Sequence, residues 1–346
     1  DLYPFLNDAK MLTDKPYYTF GNYLKERFGC RVHKVAIDAG FTCPNIDGTK
    51  GTGGCIYCNN EGFSFNSRIP PRPIREQVEG GIAFNRSRFK AKKFLAYFQA
   101  HTNTYAPVPH LKQLYDQIVP YEEIVAFAVG TRPDSVSLKT LDLLESYSER
   151  FEVWVEFGLQ SSHNRTLQRV NRCDTYERFL WAMDEASKRN LKICVHIILG
   201  LPGETHEDMM ITAERLAPLP FHSIKVHLLH VMKNTPLEQE YRQGLVKMFT
   251  LPDYANVVCD FLERLPEDVS TQRLTADAPP NVLVAPEWCL DRPAVYQAIE
   301  NEFARRGTQQ GSRVSTTIRF DQSWREQGRK YVSLPVTEME RMVRII

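Results

Sequence analysis

The chain has 346 residues, 42% of them hydrophobic and 25% charged, with 43 Lys and Arg against 42 Asp and Glu for a formal charge of +1. That composition belongs to a globular protein and excludes disordered, collagenous and coiled-coil classes. A chain of this size buries about three quarters of its unfolded surface, so a disulfide framework is not needed. No segment reaches the roughly 20 apolar residues of a membrane-spanning helix. The longest candidate, 94–111, is broken by Asn103, two histidines and two prolines. The N-terminus has neither a basic flank nor an apolar signal core and starts without Met, so it reads as the trimmed end of a soluble, cytoplasmic protein.

Taken in chain order, strand-length apolar runs alternate with helical patterns six times. The strands are expected at Val32–Gly40, Lys93–Gln99, Ile124–Gly130, Glu152–Leu159, Lys192–Gly200 and Ser223–His230. Between them, apolar residues recur at spacings of three and four. Leu111, Leu114 and Ile118 after Pro109 show this, as do Leu138, Leu141, Leu144 and Tyr147. Such alternation calls for right-handed crossovers and a parallel sheet. Six units fall short of a closed eightfold barrel, so the expectation is an α/β fold: an open, partial (β/α)6 barrel with ligands at the carboxyl ends of the strands. After about residue 245 the rhythm changes. Helices near Pro252–Leu265 and Pro293–Arg306 and a strand near Val269–Leu274 suggest a small α+β cap. The division is 1–30 as an N-terminal extension, 31–245 as the barrel, and 246–346 as the cap and a basic tail.

Eight cysteines stand at 30, 43, 55, 58, 173, 194, 259 and 289. A secreted disulfide scaffold would be shorter and denser in cysteine. Cys43, Cys55 and Cys58 form C-x11-C-x2-C directly after the first strand, enclosing a polar, glycine-rich loop. A structural zinc site usually takes four ligands. Only Cys30 and His33 are near, and they precede or lie within the strand. A [4Fe–4S] cluster likewise takes four cysteines as a rule, so three leave one iron open to an exchangeable ligand. On spacing alone both metals stay open.

The wider pattern resembles the radical S-adenosylmethionine (radical SAM) enzymes. The resemblance rests on three cysteines with Tyr57 just before the last, after the first strand of a six-unit barrel. The long first gap is similar to the branch that contains Elongator subunit 3. Within it the chain resembles a small bacterial family through His33-Lys34-Val-Ala-Ile-Asp-Ala-Gly40-Phe41-Thr-Cys43-Pro44-Asn45-Ile-Asp47-Gly48. The likeness continues through 96–105, Gly130-Thr-Arg-Pro-Asp134, Glu156-Phe-Gly-Leu-Gln160, His196 to Glu204 and Lys225 to His230, and covers roughly residues 20–300. It implies a [4Fe–4S] cluster on Cys43, Cys55 and Cys58 and S-adenosylmethionine as co-substrate. A reductant such as flavodoxin or ferredoxin is implied as well. By the same resemblance Gln99 and Asn103 face the methionine end, and Glu156 and Gln160 the ribose. The Gly200-Leu-Pro202-Gly203 turn and His227 face the adenine, and Tyr57 lies beside the cofactor. Candidates for substrate chemistry are Arg132, Asp134 and Cys289, although Arg132 and Asp134 read equally well as a surface ion pair. Family members have been connected with the tRNA wobble uridine, where they remove the carboxymethyl part of a carboxymethylaminomethyl group. The roughly 100 residues after the barrel carry no acetyltransferase motif.

A tRNA partner also finds some support in charge distribution. The run Arg86–Lys93 has five basic residues in eight with Phe89 among them. The tail from Arg305 to Lys330 has seven basic residues against two acidic. Such patches neutralise phosphates and offer a ring for stacking, but a run like this is also an ordinary solvated helix end. Two rivals are a radical enzyme acting on a small molecule or peptide, and a non-enzymatic zinc module that binds RNA.

Overall fold

A computed structural model describes residues 15–59, 72–275 and 278–314. All six expected strands form: β1 (Val32–Ile37), β2 (Lys93–Phe98), β3 (Ile124–Thr131), β4 (Glu152–Gln160), β5 (Lys192–Leu199) and β6 (Ser223–Leu228). They pair in parallel in chain order. A two-residue strand, β7 (Val231–Met232), follows. The next strand, β8 (Ser270–Arg273), adds a seventh parallel strand beside β6. One strand of the segment read as a small cap, β8, therefore belongs to the main sheet. Another short strand, β9 (Leu283–Ala285), pairs with β7 in antiparallel fashion.

Helices fill the crossovers: α1 (Phe20–Phe28) before the sheet, α2 (Ile74–Phe89), α3 (Val108–Tyr115), α4 (Leu138–Ser146), α5 (Asn164–Arg169), α6 (Tyr176–Ser187) and α7 (His206–Leu216). Three more follow β7: α8 (Pro236–Arg242), α9 (Leu251–Glu263) and α10 (Arg292–Arg306). Threonine or serine caps start most of them. Thr205 and Asp208 form a reciprocal capping box at α7, which satisfies two orphan amides at once. None of these helices is long and apolar enough to cross a membrane.

Alternation along the strands sorts side chains into two faces. Val35, Ile37, Phe94, Phe98, Phe127, Val129, Val153 and Val155 face the helices in the principal core. The opposite face carries Val32, Leu95, Tyr97, Ala126, Ala128, Trp154 and Cys194 inside the barrel. That interior is plugged at the amino ends of the strands by Phe20 and Leu24 of α1. The plug makes sense as packing. Trp154 is fully buried and meets the rings of Phe20 and Tyr23 edge-on, with centroids 5.1 and 5.4 Å away. The sheet does not close; at that end its β8 edge pairs with the segment just before α1. Thr271 of β8 donates to the Tyr18 carbonyl at 2.7 Å, next to the start of α1.

Trp154→Ala should therefore cost about 3–5 kcal/mol of stability, read by urea unfolding. A loss below about 1 kcal/mol would show that α1 does not seal the barrel.

Candidate active site

Past Ile37 the chain leaves the sheet and lays residues 38–59 over the carboxyl ends of the strands. Tight turns shape this loop. The Cys43 carbonyl accepts from the amides of Ile46 and Asp47 at 2.8 and 3.2 Å, and the Cys58 amide donates to the Cys55 carbonyl at 2.8 Å. Gly54 has a φ of +78°, and a Cβ there would press on Ile46 at 3.3 Å. Glycine is thus required between the first cysteine and the C-x2-C pair. Asn45, fully buried, donates its amide to the Cys55 sulfur at 3.6 Å and to the Asn171 carbonyl at 2.5 Å. Asn171 returns a bond to the Gly54 carbonyl at 2.8 Å, and Ile56 donates to the Val170 carbonyl at 3.1 Å. The loop is stitched to the segment after α5.

Charge at the loop is organised to match. Burial first, then the neighbouring Cys55 and Cys43, pushes the Cys58 thiol up to about 12, while Arg172 and Arg132 oppose the shift. Three thiolates crowded together are costly unless a positive centre holds them. Arg172 is buried beside this group and is anchored to the Gly158 carbonyl at 2.6 Å. Arg132, only 3% exposed, grips Asp134 with two bonds of 2.8 and 2.7 Å and caps the carbonyls of Arg172 and Cys173 at 2.9 and 3.1 Å. Asp134 accepts from Lys50 of the cysteine loop at 2.7 Å. Burial alone would push its carboxyl up, but Arg132 and Lys50 hold it well below the usual range. Arg132 and Asp134 thus form a buried clamp on the loop, not the surface pair that their turn-like sequence allowed.

The N–H···S bond from Asn45 and the flanking guanidinium groups are surroundings that tune the potential of a metal centre held by thiolates.

Below the loop, the barrel interior holds a second polar group. Glu156 of β4 is bonded to His196 of β5 at 3.0 Å and paired with the ammonium of Lys225 of β6. Lys225 also donates to the Tyr97 hydroxyl at 2.9 Å. Although burial pushes the Glu156 carboxyl up, Lys225 and His196 hold it well below the usual range. Burial and then Lys225 hold His196 down to about 4, so its ring is neutral near pH 7. Glu156, Cys194 and His196 offer ligand atoms within 4.8 Å of one another, but the bound Lys225 already supplies the cation. Lys34 of β1 donates to Gln272 of β8 at 2.6 Å across the open seam, with its ammonium 5.3 and 5.1 Å from the ring centres of Phe20 and Tyr97. Burial and Lys225 bring it down to about 7.

Other expected residues are placed as follows. Gln99, half-buried, directly follows β2. Asn103 is fully buried, and its amide nitrogen binds the Ala100 and Gly130 carbonyls at 2.9 Å each, which ties the rim together. Glu156 is only 1% exposed and is bonded to His196 and Lys225. Gln160 has a φ of +77° beside a register shift in β4. Tyr57 packs with Val170, Leu201 and Leu229 next to Cys55. At Gly200 an added Cβ would strike the Phe249 ring at 2.8 Å, so this glycine serves ring packing; Gly203 has open space around it, and Pro202 is buried. His227 is half-buried, 5.6 Å from the His196 ring. Cys289 is buried in the principal core. Asn45, Arg172, Lys34 and Lys225 had no role from sequence, although all but Arg172 stand inside the matched segments.

Arg86–Lys93 joins α2 to β2, at the amino ends of the strands and opposite the cysteine loop. Phe84 and Phe89 are exposed there, and Phe89 stacks on His33 at 4.9 Å. In the tail, Arg305 and Arg306 pair with Glu302, Arg306 pairs also with Asp260 and Glu263, and Arg313 binds Glu263. The remaining basic residues of the tail lie outside the described residues.

The family model for the Radical SAM superfamily matches residues 46–216, and that for the Radical_SAM C-terminal domain matches 221–305. The "Uncharacterized protein YtqA" of Bacillus subtilis is 36% identical over 299 residues, 86% of this chain and 93% of that protein. Among more distant relatives, the tRNA uridine(34) acetyltransferase of Methanocaldococcus infernus is 27% identical over 164 residues, 46% of this chain and 30% of that protein. The solved structure of the archaeal Methanocaldococcus infernus Elp3, with its N-terminus deleted, superposes with a TM-score of 0.59 at 18% identity. That match covers 82% of this chain and 64% of the Elp3 chain, and shows a shared fold.

Two outcomes follow from the geometry. In protein loaded with its cluster, Asn45→Ala should lower the reduction potential, because an N–H···S bond favours the more negative, reduced state. Redox titration followed by electron paramagnetic resonance measures it, and an unchanged potential would dismiss the bond. For Lys34, the folded value of about 7 lies below the ordinary 10.5, so the unfolded chain binds more protons between these pH values. Its contribution to stability then rises with pH across that window. Unfolding of wild type and Lys34→Met at several pH values should diverge accordingly, and parallel curves would show that Lys34 titrates normally.

Proposed function

The chain belongs to the radical SAM superfamily, and from that premise we propose that it modifies the wobble uridine of tRNA, converting a carboxymethylaminomethyl group to aminomethyl. Membership of the superfamily makes it an enzyme of SAM-dependent radical chemistry, with a [4Fe–4S] cluster and S-adenosylmethionine as its cofactors. When bound, these supply reductive cleavage of the sulfonium and a 5′-deoxyadenosyl radical that takes a hydrogen atom from the substrate.

Cys43, Cys55 and Cys58 hold the cluster in this reading. The observation that carries the assignment is their shared loop at the carboxyl edge of the sheet, bonded by Asn45 and faced by Arg172. Asn45 orients the Cys55 sulfur and withdraws charge from it. Arg172 and Arg132 offset the negative charge of the thiolates from inside the protein. Lys50 and Asp134 keep the loop seated on the strand ends, where the barrel interior can receive a substrate. The tRNA substrate is supported by the motif resemblance and by the distant likeness to a tRNA uridine(34) acetyltransferase, which modifies a uridine at the same position. The basic run at Arg86–Lys93 supports it less, because it lies at the far end of the barrel.

Anaerobic reconstitution should bind about four irons per chain, the content of one such cluster. Cys55→Ala should then abolish 5′-deoxyadenosine formation with dithionite. Stoichiometric zinc without iron, or undiminished formation in the variant, would overturn the ligand assignment. Mass spectrometry of tRNA nucleosides from a deletion strain should show the carboxymethylaminomethyl nucleoside accumulating. An unchanged wobble profile would redirect the search to a small molecule or peptide.

A further inference from the structure

Inside the barrel lies a group of charges that cluster binding does not use. Lys34 and Lys225 are two ammonium groups facing one carboxylate, Glu156, and that carboxylate is bonded to Lys225. The imidazoles of His196 and His227 are pushed down by burial and stay neutral near pH 7. Lys34 has Gln272 and two ring faces as its neighbours and no carboxylate in salt-bridge contact among the described residues. Glu156 is taken by Lys225, so Lys34 is left as the amine that an incoming anion would hold in its charged form.

An ammonium in such a place is expensive unless an anion comes to it. Lys34, His196, His227 and Gln272 each keep part of their surface accessible. Lys34 stands three residues before the end of β1, about 10 Å below the rim at the strand rise of about 3.3 Å.

We propose that Lys34, held by Gln272 and backed by Lys225, binds a carboxylate on an arm of the substrate that enters the barrel. This rests on the reading of the barrel interior as the substrate site. A single negative charge suits the group: a carboxylate brings one, whereas a phosphate monoester brings about 1.5 to 2. The Tyr97 and Phe20 rings leave Lys34 only a narrow set of directions, so the arm is selected by shape as well as by charge.

Calorimetry on protein loaded with cluster and S-adenosylmethionine tests this with two pairs of probes. The first pair is 5-carboxymethylaminomethyluridine and 5-aminomethyluridine; the second is N-methylglycine and methylamine. Wild type should prefer the carboxylate member by about tenfold or more, the range of one charge-assisted bond. Lys34→Met should lose the preference while retaining S-adenosylmethionine binding, and Lys34→Arg should keep most of it. A preference that survives in Lys34→Met overturns the site, and so does wild type that binds neither carboxylate probe. If both nucleosides bind equally, the carboxylate site falls and the uridine substrate stands. If N-methylglycine binds through Lys34 and neither nucleoside binds, the site stands and the uridine substrate falls. Should Lys34→Met fail to fold, the wild-type comparison still decides, because equal binding within both pairs refutes the proposal.

Discussion

Arg132 sits where the sheet, the cysteine loop and the segment after α5 meet. Its guanidinium spends two donors on Asp134 and caps two backbone carbonyls, and Asp134 in turn takes Lys50 from the loop. Both partners are buried, so their desolvation is repaid only while the geometry is kept; removing one partner of such a pair costs about 3–5 kcal/mol. The clamp makes the loop position a property of the folded barrel. A loop of this length, rich in glycine, would otherwise sample many shapes, and its three sulfurs would have no common orientation.

The same constraint links the rim to the interior. Arg172 reaches from the clamp to the Gly158 carbonyl on β4, two residues beyond Glu156. Glu156 then organises His196 and Lys225, and Lys225 meets Tyr97 and presses on Lys34. Charge is thus layered along the barrel axis. Thiols face guanidinium groups at the rim, and two ammonium groups lie farther down. The apolar plug of Phe20, Leu24 and Trp154 closes the bottom.

The strands were legible because each is a short apolar run between turn residues, and a parallel sheet buried on both faces leaves that mark. All six expected runs form strands in their expected order. The seventh, β8, was read correctly as a strand but placed in a cap, since its sequence Ser-Thr-Gln-Arg carries no apolar run to announce a central sheet. Its pairing with β6 depends on residues more than forty positions away. Asn103 and Gly200 show a different gap. The sequence marks them as special, but only their contacts reveal that one ties backbone together and the other makes room for Phe249.

By itself the sequence determined the alternation of strands and helices, the cysteine triplet and its placement after the first strand, and the charge that each residue brings. Those depend on residue type and local spacing, which a chain carries with it unfolded. Tertiary structure decided which charges meet. Lys34, Tyr97, Glu156, His196 and Lys225 come from five different strands, and no local rule places them together. The near-neutral total of +1 conceals this. Basic residues of the described tail are consumed by ion pairs with Glu302, Asp260 and Glu263, and the run at Arg86–Lys93 lies opposite the cysteines. Meanwhile two lysines that no charge run would single out converge inside the barrel. Electrostatic energy depends on distance and burial, and both are set only when the sheet curls.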